Sequence, residues 1–235
     1  MRQLVIDIQN LIFQWPGRQG FRLSIPQFQV ERGERVFLQG ASGSGKSTLL
    51  SLLGGVMVPQ QGQLHVLDTD LTALTSSTRD RFRVDHVGLL FQQFNLVPYL
   101  SVRENVLLPC RFSQRRRERA LESADSLEQS ADRLLSQLGL DLTLARQPVT
   151  ALSVGQQQRV AAARALMGHP ELIIADEPTS ALDADRQAEF LDVLLGRCND
   201  EDVTLIFVSH DQRLAHHFNR SVNLHELCAV TAGAA

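Results

Sequence analysis

Gly40-Ala41-Ser42-Gly43-Ser44-Gly45-Lys46-Ser47-Thr48 carries the spacing G-x-x-x-x-G-K-[ST]. Glycines let consecutive backbone N–H groups turn inward around an oxyanion, and a helix starting near Gly45 directs its positive end at the same place. Lys46 can then reach terminal phosphates, and the Ser47 hydroxyl can hold a Mg²⁺ that bridges them. The flanks suit this chemistry. Arg35 to Leu38 reads as a buried strand and Thr48 to Leu53 as an apolar helix. Strand, glycine loop and helix together predict a nucleotide triphosphate site.

Acids lie where such a site needs them. Leu172 to Ala175 is an apolar strand that ends in Asp176 and Glu177. In a parallel sheet the carboxyl ends of strands face the ligand crevice. Asp176 is therefore expected to hold Mg²⁺ or its waters, and Glu177 to polarise an attacking water. Val208-Ser209-His210-Asp211 ends the next strand in the same way, which brings His210 toward the terminal phosphate. Gln92, after the strand Val87 to Phe91, can sense metal and water together; spacing alone leaves Gln93 as a competitor. In Leu152-Ser153-Val154-Gly155-Gln156, Ser153 and Gln156 form a capping box that opens a second helix. One nucleotide does not need two helix N-termini from one chain. A dimer in which this helix end covers the partner's nucleotide resolves the surplus.

The elements that must position these residues are legible in outline. Leu4, Ile6 and Ile8 alternate, Trp15-Pro16-Gly17 predicts a turn, and Phe21 to Val30 alternates again with Pro26 on an edge. A short strand is expected over 63–67, a helix over 76–83 and a strand over 87–91. Between 92 and 147 the pattern turns helical. Ser101 caps a helix that Pro109 is expected to end, and Leu121, Ala124, Ala131, Leu134, Leu135 and Leu138 predict one long helix over 115–138. The arginines 115, 116, 117 and 119 read as a solvated helix face. After Pro148 come a helix over 153–167, strands over 172–175 and 203–208, a helix over 186–195, and a short tail with frayed residues 229–235. The fold class is α/β: a P-loop NTPase core with a mainly parallel sheet, an N-terminal antiparallel β subdomain and an inserted α-helical subdomain. One domain is expected over 1–235, with core segments 1–91 and 148–228 and the helical segment 92–147.

Composition narrows the setting. The 235 residues, 43% of them hydrophobic, can bury one sizeable core, and no apolar run is long enough to cross a bilayer. The N-terminus lacks a signal-peptide pattern, so a cytosolic location is expected. Cys110, Cys198 and Cys228 are few and scattered, which fits free thiols. A net charge of −3 supplies no basic field for nucleic acid.

Taken together the motifs resemble the ATP-binding cassette of ABC transporters along essentially the whole chain. Gly40 to Ser47 matches Walker A, Gln92 the Q-loop, Leu152 to Gln156 the signature and Leu172 to Asp176 Walker B. Glu177 matches the catalytic glutamate, Ser180-Ala181-Leu182-Asp183 the D-loop and His210 the switch histidine. Trp15 matches the aromatic that stacks on adenine, with Phe13 as the alternative. The resemblance implies ATP and Mg²⁺, with Ser47, Gln92 and Asp176 at the metal. It also implies a head-to-tail homodimer with ATP between one subunit's Walker A and the other's signature, and a membrane permease docked on the helical segment, particularly around Phe94 to Tyr99 beside Gln92. Phe91 to Leu100 with Arg103 to Val106 is similar to the lipoprotein-releasing and macrolide-export ATPases.

Val154 departs from the family signature, Leu-Ser-Gly-Gly-Gln, by replacing its first glycine. The reading that follows is an ATPase subunit at the cytoplasmic face of the membrane that powers a separate permease. A competing class is a single-cassette ATPase in cofactor assembly or cell-division scaffolding. A phosphoryl-transferring kinase leaves the signature and His210 unexplained.

Overall fold

The computed structural model describes residues 3–15 and 21–228. The expected turn at Pro16-Gly17 and the expected fraying of 229–235 lie outside the described residues. Two sheets are built. Strands β1 (Leu4–Gln14), β2 (Arg22–Glu31), β4 (Gln61–Val66) and β5 (Thr69–Asp70) form an antiparallel sheet in the order β2-β1-β4-β5. Pro26 thus lies on an edge strand, where no ladder hydrogen bond is lost. Strands β3 (Arg35–Gln39), β6 (Val87–Leu90), β7 (Leu172–Asp176), β8 (Thr204–Val208) and β9 (Arg220–Asn223) form a parallel sheet in the order β6-β7-β8-β3-β9.

The antiparallel sheet places an aromatic by means of a bulge. Asn10 has φ 48°, and the β1–β4 register shifts between Gln9 and Ile12. Ile6 and Ile8 face the core before the bulge; Leu11 and Phe13 face it afterwards. The new phase brings Trp15 to the same side, against Thr48 of helix α1 (Lys46–Leu53).

Helices cover both faces of the parallel sheet. Leu49, Leu52 and Leu53 of α1 pack with Val36, Leu38 and Ile206 on one face. On the other face Phe37 and Phe207 meet helices α6 (Val154–Leu166) and α7 (Ala184–Asp200). Helix α2 (Ser76–His86) leads into β6, and α3 (Val102–Phe112), α4 (Gln114–Leu121) and α5 (Leu127–Gln137) make up the inserted helices. No helix among the described residues is long and apolar enough to cross a membrane.

Four expectations are corrected. Pro109 does not end α3, which continues to Phe112. Proline in a helix interior forfeits one bond and costs roughly 3 kcal/mol. Here the following turn is retained because Cys110 is buried against the helical core and Ser113 both closes α3 and caps α4. The single helix over 115–138 is two, because Ser126 accepts from the Gln129 N–H at 3.1 Å and starts α5 afresh. That break folds Ala120, Ala131 and Leu135 onto one core. The tail is structured: β9 adds an edge to the parallel sheet and α8 (Leu224–Leu227) follows it. Arg220-Ser221-Val222-Asn223 has one apolar residue, too few for a strand signal.

The arginine cluster is only partly the solvated face expected: Arg115 and Arg117 are exposed, but three of its four members are engaged with the core. Arg115 and Arg119 reach Glu171 Oε1 at 2.5 and 2.8 Å, and His86 Nδ1 reaches its Oε2 at 3.1 Å. Arg116 is 2% exposed and donates to the Met167 carbonyl at 3.2 Å. Arg115, Arg116 and Arg119 fasten α4 to the core. Burial opposes ionisation of Glu171, but the His86 and Arg115 hydrogen bonds and the Arg119 charge overcome it and bring the pKa to about 2. A carboxyl with a depressed native pKa contributes stability that is complete above its unfolded value and is lost as pH falls through the native one. Glu171→Gln should therefore cost about 1–2 kcal/mol in urea unfolding at neutral pH, by removing the carboxylate that the partly exposed Arg115 and Arg119 share. It should also flatten the fall in stability between the ordinary value of 4.5 and about 2. Equal acid sensitivity in both proteins would remove Glu171 from this role.

Candidate functional site

Parallel register gathers the chemistry at one edge. Asp176 pairs in register with Val208, so the residues after β7 and β8 emerge side by side. Glu177 has φ 47°, a left-handed conformation that costs a side-chain-bearing residue about 1–3 kcal/mol. Its N–H donates to the Val208 carbonyl at 3.0 Å, which pins it there. His210 Nδ1 lies 3.2 Å from Glu177 Oε2, a bond in which the ring N–H donates to the carboxylate.

The glycine loop lies between β3 and α1. Gly45 caps α1 with φ 105°, and a Cβ there would stand 2.8 Å from the Phe21 ring. Lys46 Nζ donates to the carbonyls of Gly40 and Ala41 at 2.8 and 3.0 Å, so the ammonium stands inside the loop. Ser44 Oγ is buried with no hydrogen-bond partner among the described residues. An unpaired hydroxyl donor in a loop of N–H groups fits an anion. Ser47 Oγ lies 3.3 Å from Asp176 Oδ2. Burial raises the Asp176 pKa and the Glu177 charge adds to it, while the Ser47 hydrogen bond and Lys46 pull the other way.

These groups line one cleft of about 530 Å³. Its walls are Trp15, Phe21, Gly40, Ser42, Gly43, Gly45, Lys46, Ser47, Thr48, Gln92, Asp176, Glu177 and His210. Ala41 and Ser44 belong to the loop without lining it. Trp15 Nε1 donates to Thr48 Oγ1 at 3.3 Å. Phe13 is 4% exposed and meets Trp15 edge to face, so of the two aromatics only Trp15 borders the cleft. Gln92 lines it and Gln93 does not. Phe21 was not anticipated, since in sequence it is one more apolar residue of an alternating strand.

The signature is elsewhere. Ser153 Oγ accepts from the Gln156 N–H at 3.4 Å, and Gln156 Oε1 accepts from the Ser153 N–H at 2.9 Å, closing the capping box. Ser153, Gly155 and Gln156 line a second cleft of about 350 Å³ with Leu182 and Arg186, apart from the glycine loop. Leu152 is buried beneath it and Val154 is 49% exposed. Asp183 caps α7 through the Arg186 N–H at 3.0 Å. Gln158, 1% exposed, ties α6 to the Pro178 carbonyl at 2.9 Å, just past Glu177. Nothing in the sequence distinguished it from the two glutamines before it.

Comparison with known proteins agrees with this geometry. The ABC transporter family profile matches residues 23–180. The macrolide export ATP-binding/permease protein MacB of Rhodopirellula baltica is 40% identical over 195 residues, 83% of this chain, which spans 28% of that protein. An ABC transporter ATP-binding protein of Mycobacterium tuberculosis is 40% identical over 230 residues, covering 95% of this chain and 88% of its own length. Among solved structures, the ATP-binding cassette MJ0796, captured as a dimer after hydrolysis with ADP and Pi, superposes with a TM-score of 0.78. The two are 30% identical, with 93% of each chain covered. With its glycine loop, strand-end acids and signature helix in this arrangement, the chain belongs to the ABC transporter family and is an ATP-binding cassette ATPase.

Proposed function

We propose that this chain hydrolyses ATP as a head-to-tail homodimer and passes the resulting motion to a membrane permease at the cytoplasmic face. The observation that carries the reading is the split site. The glycine loop and the signature line two separate clefts of one chain. A second copy turned by a two-fold axis brings each signature over the other chain's loop, and an isologous pair then completes two sites.

Within each site the roles follow from position. Trp15 stacks on the base, the loop N–H groups hold the phosphates and Lys46 moves onto the terminal ones. Ser47, Asp176 and Gln92 supply hard oxygen ligands suited to Mg²⁺, a cation that neutralises phosphate charge during transfer. Glu177 polarises the attacking water, and His210 holds Glu177 in place and reaches the γ-phosphate. Ser153 and Gly155 meet that phosphate from the other subunit, with Asp183 at the seam between the clefts.

The permease reading rests on a groove between the core and the inserted helices. It measures about 270 Å³ and is walled by Phe91, Leu108, Pro109 and Phe112 together with Arg83, Arg116 and Arg164, with no carboxylate among the lining residues. Its occupant is an amphipathic cytoplasmic segment of the permease that carries an acidic side chain. Phe94, expected as part of this surface, is 6% exposed and belongs to the core instead. Tyr99, at the other end of the expected stretch, is 84% exposed, and Phe112, 66% exposed, walls the groove itself. The names of the MacB relatives favour export as the direction of transport.

The test pairs Phe112→Asp and Tyr99→Asp with purified permease in lipid vesicles. Basal hydrolysis should stay within about twofold, because neither side chain touches the nucleotide cleft. Stimulation by the permease should fall by about tenfold or more, as expected when an exposed aromatic anchor is lost. Normal recruitment and stimulation in both variants would overturn the docking assignment.

A further inference from the structure

We propose that Arg164 is a positioning residue for Gln92: its guanidinium, near the end of the helix that the signature begins, holds the turn that aims Gln92 into the nucleotide cleft. Gln92 and Gln93 are the central residues of a turn closed by the Phe94 N–H on the Phe91 carbonyl at 3.0 Å. The next two residues, Phe94 and Asn95, have φ 59° and 49°. Two consecutive left-handed residues with side chains do not persist without support from their surroundings. The Phe94 ring, buried in the helical core, supplies one support.

Arg164 supplies the other. Its Nη2 donates to the Phe94 carbonyl at 2.5 Å and its Nη1 to the Asn95 carbonyl at 2.7 Å. The planar fork of a guanidinium matches two neighbouring carbonyls, whereas an ammonium is a point donor. The side chain is half-buried, and burial lowers its pKa. A desolvated cation is thus held by two main-chain oxygens of the very segment that carries Gln92.

The placement gives the contact its consequence. Ser153 and Arg164 are eleven residues apart along one continuous helix, roughly 16 Å at 1.5 Å per residue. The signature contact with the partner's nucleotide and the clamp on the Gln92 turn are therefore two ends of one rod. Phe91, Asn95 and Arg164 also wall the groove described above. A segment seated there presses on the clamp itself. Arg164 touches neither the nucleotide cleft nor the signature cleft, so it acts only through the turn.

The inference rests on the assignment of Gln92 to the hydrolytic site, and the test separates the two. Turnover and ATP affinity are measured for Arg164→Leu, Arg164→Lys, Gln92→Ala and the Gln92→Ala/Arg164→Leu double variant. Arg164→Leu should lower kcat by about 10- to 100-fold, the effect of a misplacement on the order of 1 Å. The Kd for a fluorescent ATP analogue should be unchanged, because the cleft is untouched. Arg164→Lys keeps the charge and folds if the leucine variant does not; it should fall between the two. In the Gln92→Ala background, Arg164→Leu should add little, since its effect runs through Gln92. Slow turnover in Gln92→Ala with a full, additive further loss from Arg164→Leu would overturn the clamp. Wild-type turnover in Gln92→Ala would overturn the Gln92 assignment and the inference with it. A weakened nucleotide Kd in Arg164→Lys would show a general structural role and equally count against it.

Discussion

Glu177→Gln is expected to leave ATP binding intact and to lower hydrolysis by about 10²–10⁴-fold, the usual size of a general-base contribution. The amide has the shape of the carboxylate, so the left-handed backbone at 177 and its N–H bond to Val208 are undisturbed. What is lost is the capacity to accept a proton from water. The bond from His210 survives, because the amide oxygen still accepts from the ring N–H. With ATP present and hydrolysis blocked, the variant should accumulate as a dimer on size-exclusion chromatography. Turnover within a fewfold of the native enzyme would remove Glu177 from its role.

Gly155→Val should abolish hydrolysis, whereas Val154→Gly should change it only modestly. The contrast comes from the geometry of α6. A Cβ on Gly155 would find its nearest neighbour, Leu182 Cδ2, at 3.9 Å, and its φ lies outside the left-handed range. Nothing among the described residues needs a glycine there. In the proposed dimer its bareness leaves room for the γ-phosphate held by the partner. Val154, first in the helix and 49% exposed, already shows that its own position tolerates a branched side chain. Glycine at 154 should cost the helix about 0.5–1 kcal/mol. Both variants should bind nucleotide as isolated subunits with native affinity, since the glycine loop lies in the other cleft. The reverse ranking in steady-state turnover would move the phosphate contact to residue 154.

The site was more legible than the scaffold around it. Phosphate chemistry demands particular residues at fixed spacing, so the stretch from Gly40 to Thr48 and the pair Asp176-Glu177 announce themselves. Elements that follow apolar period were likewise readable, as in β7 and β8. What was missed depends on tertiary context. Pro109 within α3 and the break before Ser126 are decided by which helix faces can share a core. Strand β9 gains its place by pairing with β3, and its own four residues carry no pattern. The arginines of α4 look solvated in sequence because Glu171, their counter-charge, lies more than fifty residues away. Arg164 and Gln158 escaped notice because their partners are main-chain carbonyls, which no side-chain motif records.

The central claim, that each site is shared between two chains, is tested most directly by mixing Lys46→Ala with Ser153→Arg subunits. Each variant alone carries the same defect in both sites of its homodimer and should be inactive. A mixed dimer has one site with both defects and one with neither. Activity should therefore return on mixing to on the order of a quarter of the native value, since half the dimers are mixed and each has one sound site of two. No recovery, in samples where differently tagged subunits are shown to co-purify, would contradict the shared site.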